Sequence, residues 1–404
     1  GEAQARAGLG GSPGRVPRGA RQEIGGTGPR RQSMAAVRDE AQEQEFTELI
    51  GFLADPKAEV QRLAAEGVLA QTESQDFVAF CQEKPRAPAK QLLRLVERAE
   101  ADAIAKLSSV KEGTRDQVMR AKRLAEKEAE LSLAAGAAAL QALVNLSAVP
   151  AVRDELVELS APRRCGDALR SGWLDGRSAL AHYYSMLLAN LSTAKQGQKA
   201  ICENEELLRF LFSAFVAKPR PPPRDGCEDP MGYLGKALGN VCALPEGRAL
   251  LAVGDQGIAT LTQLATELRD RGRRTDVLNC IRNLCLDEDC HEVIVKTAIA
   301  PVMTLFLYPW DKVSADQRAQ LPEQLREALQ ADGAAMTTDV SVRGLAAECF
   351  LGLSRTEAGR EYISSFGLVE VLRAWLQEEP EEENKTVIDA VLQACGASAD
   401  APGQ

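Results

Sequence analysis

Four asparagines recur along this chain at nearly equal intervals, each closing a short apolar helical run. They are Asn145 in the run 143–147, Asn190 in 188–192, Asn240 in 238–242 and Asn283 in 281–285. The spacing from one to the next is 45, then 50, then 43 residues. A fifth unit, 350–354, puts Gly352 at the same place 69 residues further on, and a degenerate first unit centres near Ala70. Around each anchor the same chemistry returns. Two residues before it stand Leu143, Leu188, Leu238, Ile281 and Phe350, and six before it Ala139, Tyr184, Leu234, Val277 and Ala346. One residue after it come Leu146, Leu191, Val241, Leu284 and Leu353, so the three columns form one apolar stripe on one helix. Eleven residues past the anchor a large aliphatic residue follows on the next helix: Leu156, Ile201, Leu251, Ile294 and Ile363.

A helical period of roughly 40–47 residues is the signature of armadillo and HEAT repeats. The expected fold is therefore all-α: a right-handed superhelical solenoid of about six stacked helical units. Composition agrees. Aromatics are only 4% of the 404 residues while Ala and Leu dominate, a bias that suits close helix packing and suits strands poorly. No run approaching the roughly 18 apolar residues of a membrane span is apparent, so a soluble chain is expected.

Residues 1–33 are rich in Gly, Arg and Pro, carry a net +4 and read as a disordered basic leader, or as a gene-model artefact upstream of a start at Met34, with a transit peptide as the further alternative. The repeat domain is placed at 34–404, with insertions near 108–130, 218–229 and 308–340. The first, charged from Lys111 to Glu130, reads as a solvated helix extension. The second, Lys218 to Arg224, is a stiff Pro-rich loop of the kind that docks SH3-type grooves. The acidic cluster 378–383 reads as a solvated turn between the last two helices. With a formal charge of −10, the body beyond the leader is more acidic still, which argues against nucleic-acid binding.

The asparagine column has two readings. The first has it line the inner curve of the superhelix and hydrogen-bond an extended peptide; the second has each Asn brace the turn after its own helix. The residues placed at a concave protein-binding groove are Gln141, Asn145, Asn190, Lys236, Asn240, Asn279, Arg282 and Asn283. Four residues before the anchors, where nuclear-import receptors of this architecture carry Trp to stack on Lys stems, stand Gln141, Met186, Lys236 and Asn279. Recognition of import signals is therefore not expected. Eight residues past the anchors, Arg153, Gln198, Arg248, His291 and Arg360 form a polar column suited to hydrogen bonds between repeats.

Chemistry finds little footing. The only histidines are His182 and His291, neither beside a nucleophile, and there is no phosphate-binding glycine loop. Cys280, Cys285, Cys290 and His291 resemble a metal set only in passing, because Cys285 and His291 fill repeat columns. Neither catalysis, metal nor cofactor is expected. The cysteines lie among Leu and Val in helical patterns and read as reduced thiols. The glycosylation sequons at Asn145, Asn190 and Asn384 read as incidental.

Three stretches carry a family likeness. The segment 182–192, the run 281–285 followed by Cys290-His291-Glu292, and the ending Gly359-Arg360-Glu361-Tyr362-Ile363 with 371–375 resemble the eukaryotic armadillo-like HGH-one homologues, also catalogued as brain protein sixteen. The excursion 321–325, Leu-Pro-Glu-Gln-Leu, is similar to that family's Leu-Pro-x-x-Leu core. The resemblance covers about residues 46–395. This chain departs from the family at Arg326-Glu327, in its long charged helix near 108–130, and in a nearly absent polar tail. The resemblance implies a cytoplasmic, monomeric chaperone or adaptor for translation elongation factor two. It implies work alongside the cytosolic chaperonin and Hsp-ninety co-chaperones, and the acidic overall charge would suit an inner surface that holds a partly folded basic client.

Overall fold

The repeat pattern folds into triplets of helices. The computed structural model describes residues 40–108, 114–175, 180–217, 232–252, 257, 260–261, 271–297, 302, 314–320, 323, 326, 339–365 and 368–397. The basic leader, the Pro-rich loop and most of the 308–340 excursion lie outside them. Among the described residues every regular element is a helix.

The elements begin with α1 (Glu40–Gly51), α2 (Ala58–Gln71), α3 (Gln75–Glu83), α4 (Arg86–Ser108) and α5 (Arg115–Leu146). Then come α6 (Pro150–Glu158), α7 (Ala161–Asp175), α8 (Ala181–Leu191), α9 (Lys195–Cys202), α10 (Glu205–Val216), α11 (Leu234–Val241) and α12 (Pro245–Ala252). Last are α13 (Arg271–Leu284), α14 (His291–Thr297), α15 (Ala315–Gln320), α16 (Val340–Leu353), α17 (Glu357–Ser365), α18 (Leu368–Glu378) and α19 (Glu382–Ala394). A unit is a short helix, a longer second helix and a third that carries the anchor, as in α6–α7–α8 and α9–α10–α11; α17–α18–α19 repeats the triplet without an anchor. The three-helix unit is the armadillo form.

The anchor helices pack in one row, α2 on α5, then α8, α11, α13, α16 and α19. Every residue of the four apolar columns is at most 5% exposed, so the stripe read from sequence is the spine of one continuous core. Each buried aliphatic side chain on it contributes about 1.5–3 kcal/mol. At the amino-terminal end Phe46 stands edge-on to Phe77 with ring centroids 5.1 Å apart, closing the core there.

A glycine column seven residues past the anchor fixes how one unit turns into the next. Gly197, Gly247 and Gly359 are each the third residue of the short helix that follows the anchor. A Cβ on them would stand 1.9 Å from the Leu191 carbonyl oxygen, 2.3 Å from that of Val241 and 2.0 Å from that of Leu353. Only a residue without a side chain lets the short helix cross the anchor helix so closely.

Helix α5 corrects one expectation and supports another. It is long and apolar enough to cross a membrane by length and composition, so a run of that kind does exist in the sequence. Most of its apolar stretch, 61%, is buried against neighbouring helices, as in the core helix of a globular protein. Its first ten residues are exposed but for half-buried Val118, which makes 115–124 the solvated extension expected from the charges. A capping box holds its start: the Thr114 hydroxyl accepts from the Gln117 N–H, and the Gln117 side chain accepts from the Thr114 N–H.

Candidate functional site

The anchor residues do something that neither sequence reading foresaw. Each Asn reaches back across the seam to the repeat before it. Asn190 Nδ2 donates to the Val144 carbonyl at 3.1 Å and to Ser147 Oγ at 2.9 Å. Asn240 Nδ2 repeats this on the Ala189 carbonyl at 3.5 Å and Ser192 Oγ at 3.0 Å. Asn283 Nδ2 donates to the Gly239 carbonyl at 2.7 Å, and Asn145 Nδ2 to Thr72 Oγ1 at 2.8 Å. A carbonyl can only accept, so the amide nitrogens of Asn190, Asn240 and Asn283 must face it.

The hydroxyl two residues past Asn145 and past Asn190 completes the joint at those two seams; two past Asn240 and Asn283 stand Cys242 and Cys285. Ser147 Oγ donates to the Val144 carbonyl at 2.6 Å and Ser192 Oγ to that of Ala189 at 2.7 Å. Amide, hydroxyl and carbonyl thus form a closed triangle, with two groups from one repeat and one from the next. Reading the Asn as a brace for the turn after its own helix is therefore corrected: the turn it braces belongs to its predecessor. Sequence alone could not choose, because the partner lies 43 to 73 residues away.

The seam after Asn283 differs. A Cβ on Gly352 would meet the Cβ of Cys285 at 2.7 Å and its carbonyl oxygen at 2.9 Å, so no carboxamide fits. An ion pair from Arg282 Nη1 to Glu348 Oε2 at 2.9 Å crosses there instead. The thiols of Cys285 and Cys349 also meet, and the Cys285 thiol is pushed up by that hydrogen bond and by burial. Cys280 pairs in the same way with Cys242, and burial, with the Glu97 charge adding to it, pushes Cys165 up to about 12. Cys280 and Cys285 therefore face different partners, and they do not converge with His291 on a common point.

Substituting Asn190 should cost about 1–2 kcal/mol, and Ser147→Ala should couple to it by about 1 kcal/mol. A double-mutant cycle in chemical denaturation measures this; strictly additive effects would show that the triangle carries no shared energy.

The polar column eight residues past the anchors works mostly within its own repeat. Gln198 Nε2 donates to the Ser192 carbonyl at 3.0 Å, Arg248 Nη1 to that of Cys242 at 3.2 Å, and Arg360 Nη1 to that of Ser354 at 2.9 Å. His291 Nε2 meets the Cys285 carbonyl at 2.9 Å, and its Nδ1 meets Thr356 Oγ1 of the next repeat at 2.9 Å. Arg248 also crosses, to Asp287 at 3.3 Å. The expected bonds between repeats are present, as one half of a double role.

Alongside the joints runs a groove of about 490 Å³ between α8, α11 and α13. It is lined by Asn190, Lys236, Asn240, Asn279, Arg282 and Asn283, six of the eight residues placed there from sequence. Asn145 lies on the same row but outside this groove, and Gln141 donates to the Tyr183 hydroxyl at 2.8 Å. Lys236 Nζ sits 4.7 Å over the Tyr233 ring. Arg282 donates to Asn283 Oδ1 through Nε and Nη2 while pairing with Glu348. The lining's charged residues are Lys236 and Arg282 against buried Asp276, so this groove is not the acidic surface expected from overall charge.

Residues 173–343 match the family described as Domain of unknown function (DUF383). The chain is 26% identical over 270 residues to the Protein HGH1 homolog of Homo sapiens, covering 63% of this chain and 66% of the human protein. It is 22% identical over 266 residues to the Protein HGH1 homolog of Dictyostelium discoideum, covering 63% of this chain and 72% of that one. It spans 43% of the Danio rerio homolog, at 25% identity. A designed armadillo repeat protein in complex with peptide (KR)4 aligns over 75% of this chain and 99% of its own, with TM-score 0.48 and 14% identity. The fold rests on this chain's own helix triplets and not on that likeness. An all-α solenoid of stacked helix triplets is what these observations establish.

Proposed function

We propose that this chain, an HGH1-family protein by sequence, is a non-catalytic, cytoplasmic adaptor that assists the folding of translation elongation factor two together with the cytosolic chaperonin. The observation that carries its binding half is the row of carboxamides. With Nδ2 spent on the joints, Oδ1 of Asn190 and of Asn240 has no hydrogen-bond partner among the described residues. Both residues line the groove, and both are half-buried. Oxygens held at repeat spacing suit the backbone N–H groups of an extended client segment, each bond contributing about 0.5–1.5 kcal/mol net. Several such weak contacts along a rigid row act together through a high local concentration.

The client's identity rests on the family likeness. A chaperone that holds and releases needs no nucleophile, and His291 has both ring nitrogens occupied by the fold. Affinity purification of the tagged full chain from a eukaryotic lysate, followed by mass spectrometry, should recover elongation factor two and chaperonin subunits. Recovery of neither would remove the specific role and leave the alternative, a general armadillo-type interaction scaffold. Asn→Ala variants are a poor probe of the groove on their own, because they also cut the joints; a thermal melt must accompany each one.

A further inference from the structure

We propose that the groove selects client segments bearing an acidic side chain, read by Lys236 and Asn279. This rests on the reading that the groove binds an extended segment, and adds what that segment must carry. The two residues occupy the same place, four before the anchor, on the adjacent helices α11 and α13. Elsewhere in that column the position is spoken for. Gln141 is bonded to Tyr183, half-buried Met186 packs against the core, and Glu348 pairs with Arg282.

Lys236 and Asn279 are different. Lys236 is exposed, and no carboxylate among the described residues lies within ion-pair distance of its ammonium; its one contact of note is the Tyr233 ring. The half-buried Asn279 amide has no hydrogen-bond partner among the described residues. The groove's own carboxylate, Asp276, is 5% exposed and already engaged, and the Arg282 guanidinium is committed to Glu348 and Asn283.

An ammonium offers three donors and no acceptor, and an amide nitrogen offers two more. A carboxylate is the complement to both. A free small anion is a poorer fit for the whole groove, since the neighbouring Asn190 and Asn240 oxygens want N–H donors, which a peptide backbone supplies. Stacked helices stand about 8–10 Å apart, roughly three residues of extended chain. One Asp or Glu can therefore reach Lys236 while the backbone on either side reaches the carboxamide oxygens. Where import receptors stack an aromatic ring on a cationic stem, this chain presents the cation itself, and the preferred charge of the partner inverts.

The test is fluorescence anisotropy on the full chain with three labelled Ser-Gly-Leu peptides that differ only in a central Glu, Gln or Lys. The Glu peptide should bind about tenfold more tightly than the Gln peptide, an advantage that shrinks as salt is added. Lys236→Glu should leave the melting curve unchanged and move the preference to the Lys peptide, and Asn279→Leu should reduce the Glu advantage without reversing it. Equal binding of the Glu and Gln peptides would overturn the acidic selectivity while leaving the groove reading intact. Failure of all three peptides to bind would overturn both.

Discussion

Glu379→Ala should destabilise the carboxy-terminal repeat by about 3–5 kcal/mol, because it strands a buried guanidinium. Arg343 and Glu379 are 3% and 0% exposed at the side chain and meet in a two-pronged pair. Arg343 Nε donates to Oε2 at 2.8 Å and Nη2 to Oε1 at 2.9 Å. Trp375 Nε1 adds a bond to Oε2 at 2.8 Å, and Asn384 Nδ2 another to Oε1 at 3.4 Å. Three helices, α16, α18 and α19, are thus tied to one carboxylate. Hydrogen exchange should show protection lost across 340–394 while α5 and α8 keep theirs, since stability in stacked repeats is largely local. Unchanged protection would mean that the pair is expendable.

The same carboxylate gives a pH dependence of known sign. Burial alone would raise its pKa, but the bonds from Arg343, Trp375 and the Glu381 N–H outweigh it and hold Glu379 below the ordinary value of 4.5. The stabilisation it contributes is therefore fully present above that value and is lost as pH falls through the depressed folded-state pKa. The acid-unfolding midpoint of this end should move in Glu379→Gln, which no longer titrates; an unmoved midpoint would place the acid sensitivity elsewhere.

The second large effect is expected at the crossing glycines. Gly197→Ala and Gly359→Ala each put a Cβ about 2 Å from a main-chain oxygen, where no side chain can swing aside. The short helix must lift from its anchor helix, at about 3 kcal/mol. Gly51→Ala is the matched control, because a Cβ there meets nothing within 4 Å, and it should be neutral. Thermal melts of the three variants decide; a Gly359→Ala melt matching that of Gly51→Ala would show the crossing to be elastic.

Much of this solenoid was legible because its period is a property of the chain itself. Leu143, Leu188, Leu238, Ile281 and Phe350 announce their burial by recurring, and the charged run into α5 announces its exposure. What stayed hidden depends on partners far along the chain. The acidic cluster 378–383 looks uniform, and only the fold shows that Glu379 turns inward on Arg343 while Glu381, Glu382 and Glu383 stay exposed. The Asn column was visible and its direction was not, since a carboxamide serves a groove and a seam equally well on paper. The glycine column was there to be read at seven past the anchor. Val152 and Cys290 interrupt it, and glycine's usual association with turns hides its use here as a clearance.

The joint between repeats has a consequence for how such a chain can change length. The carboxamides of Asn190, Asn240 and Asn283 ask of their predecessors only a carbonyl and, where present, a hydroxyl at fixed offsets. Excising the unit that ends at Asn240 would offer Asn283 the Ala189 carbonyl and the Ser192 hydroxyl, a fuller set of acceptors than it has now. The units are in this sense interchangeable couplings, and loss or duplication of one leaves a working connection on either side.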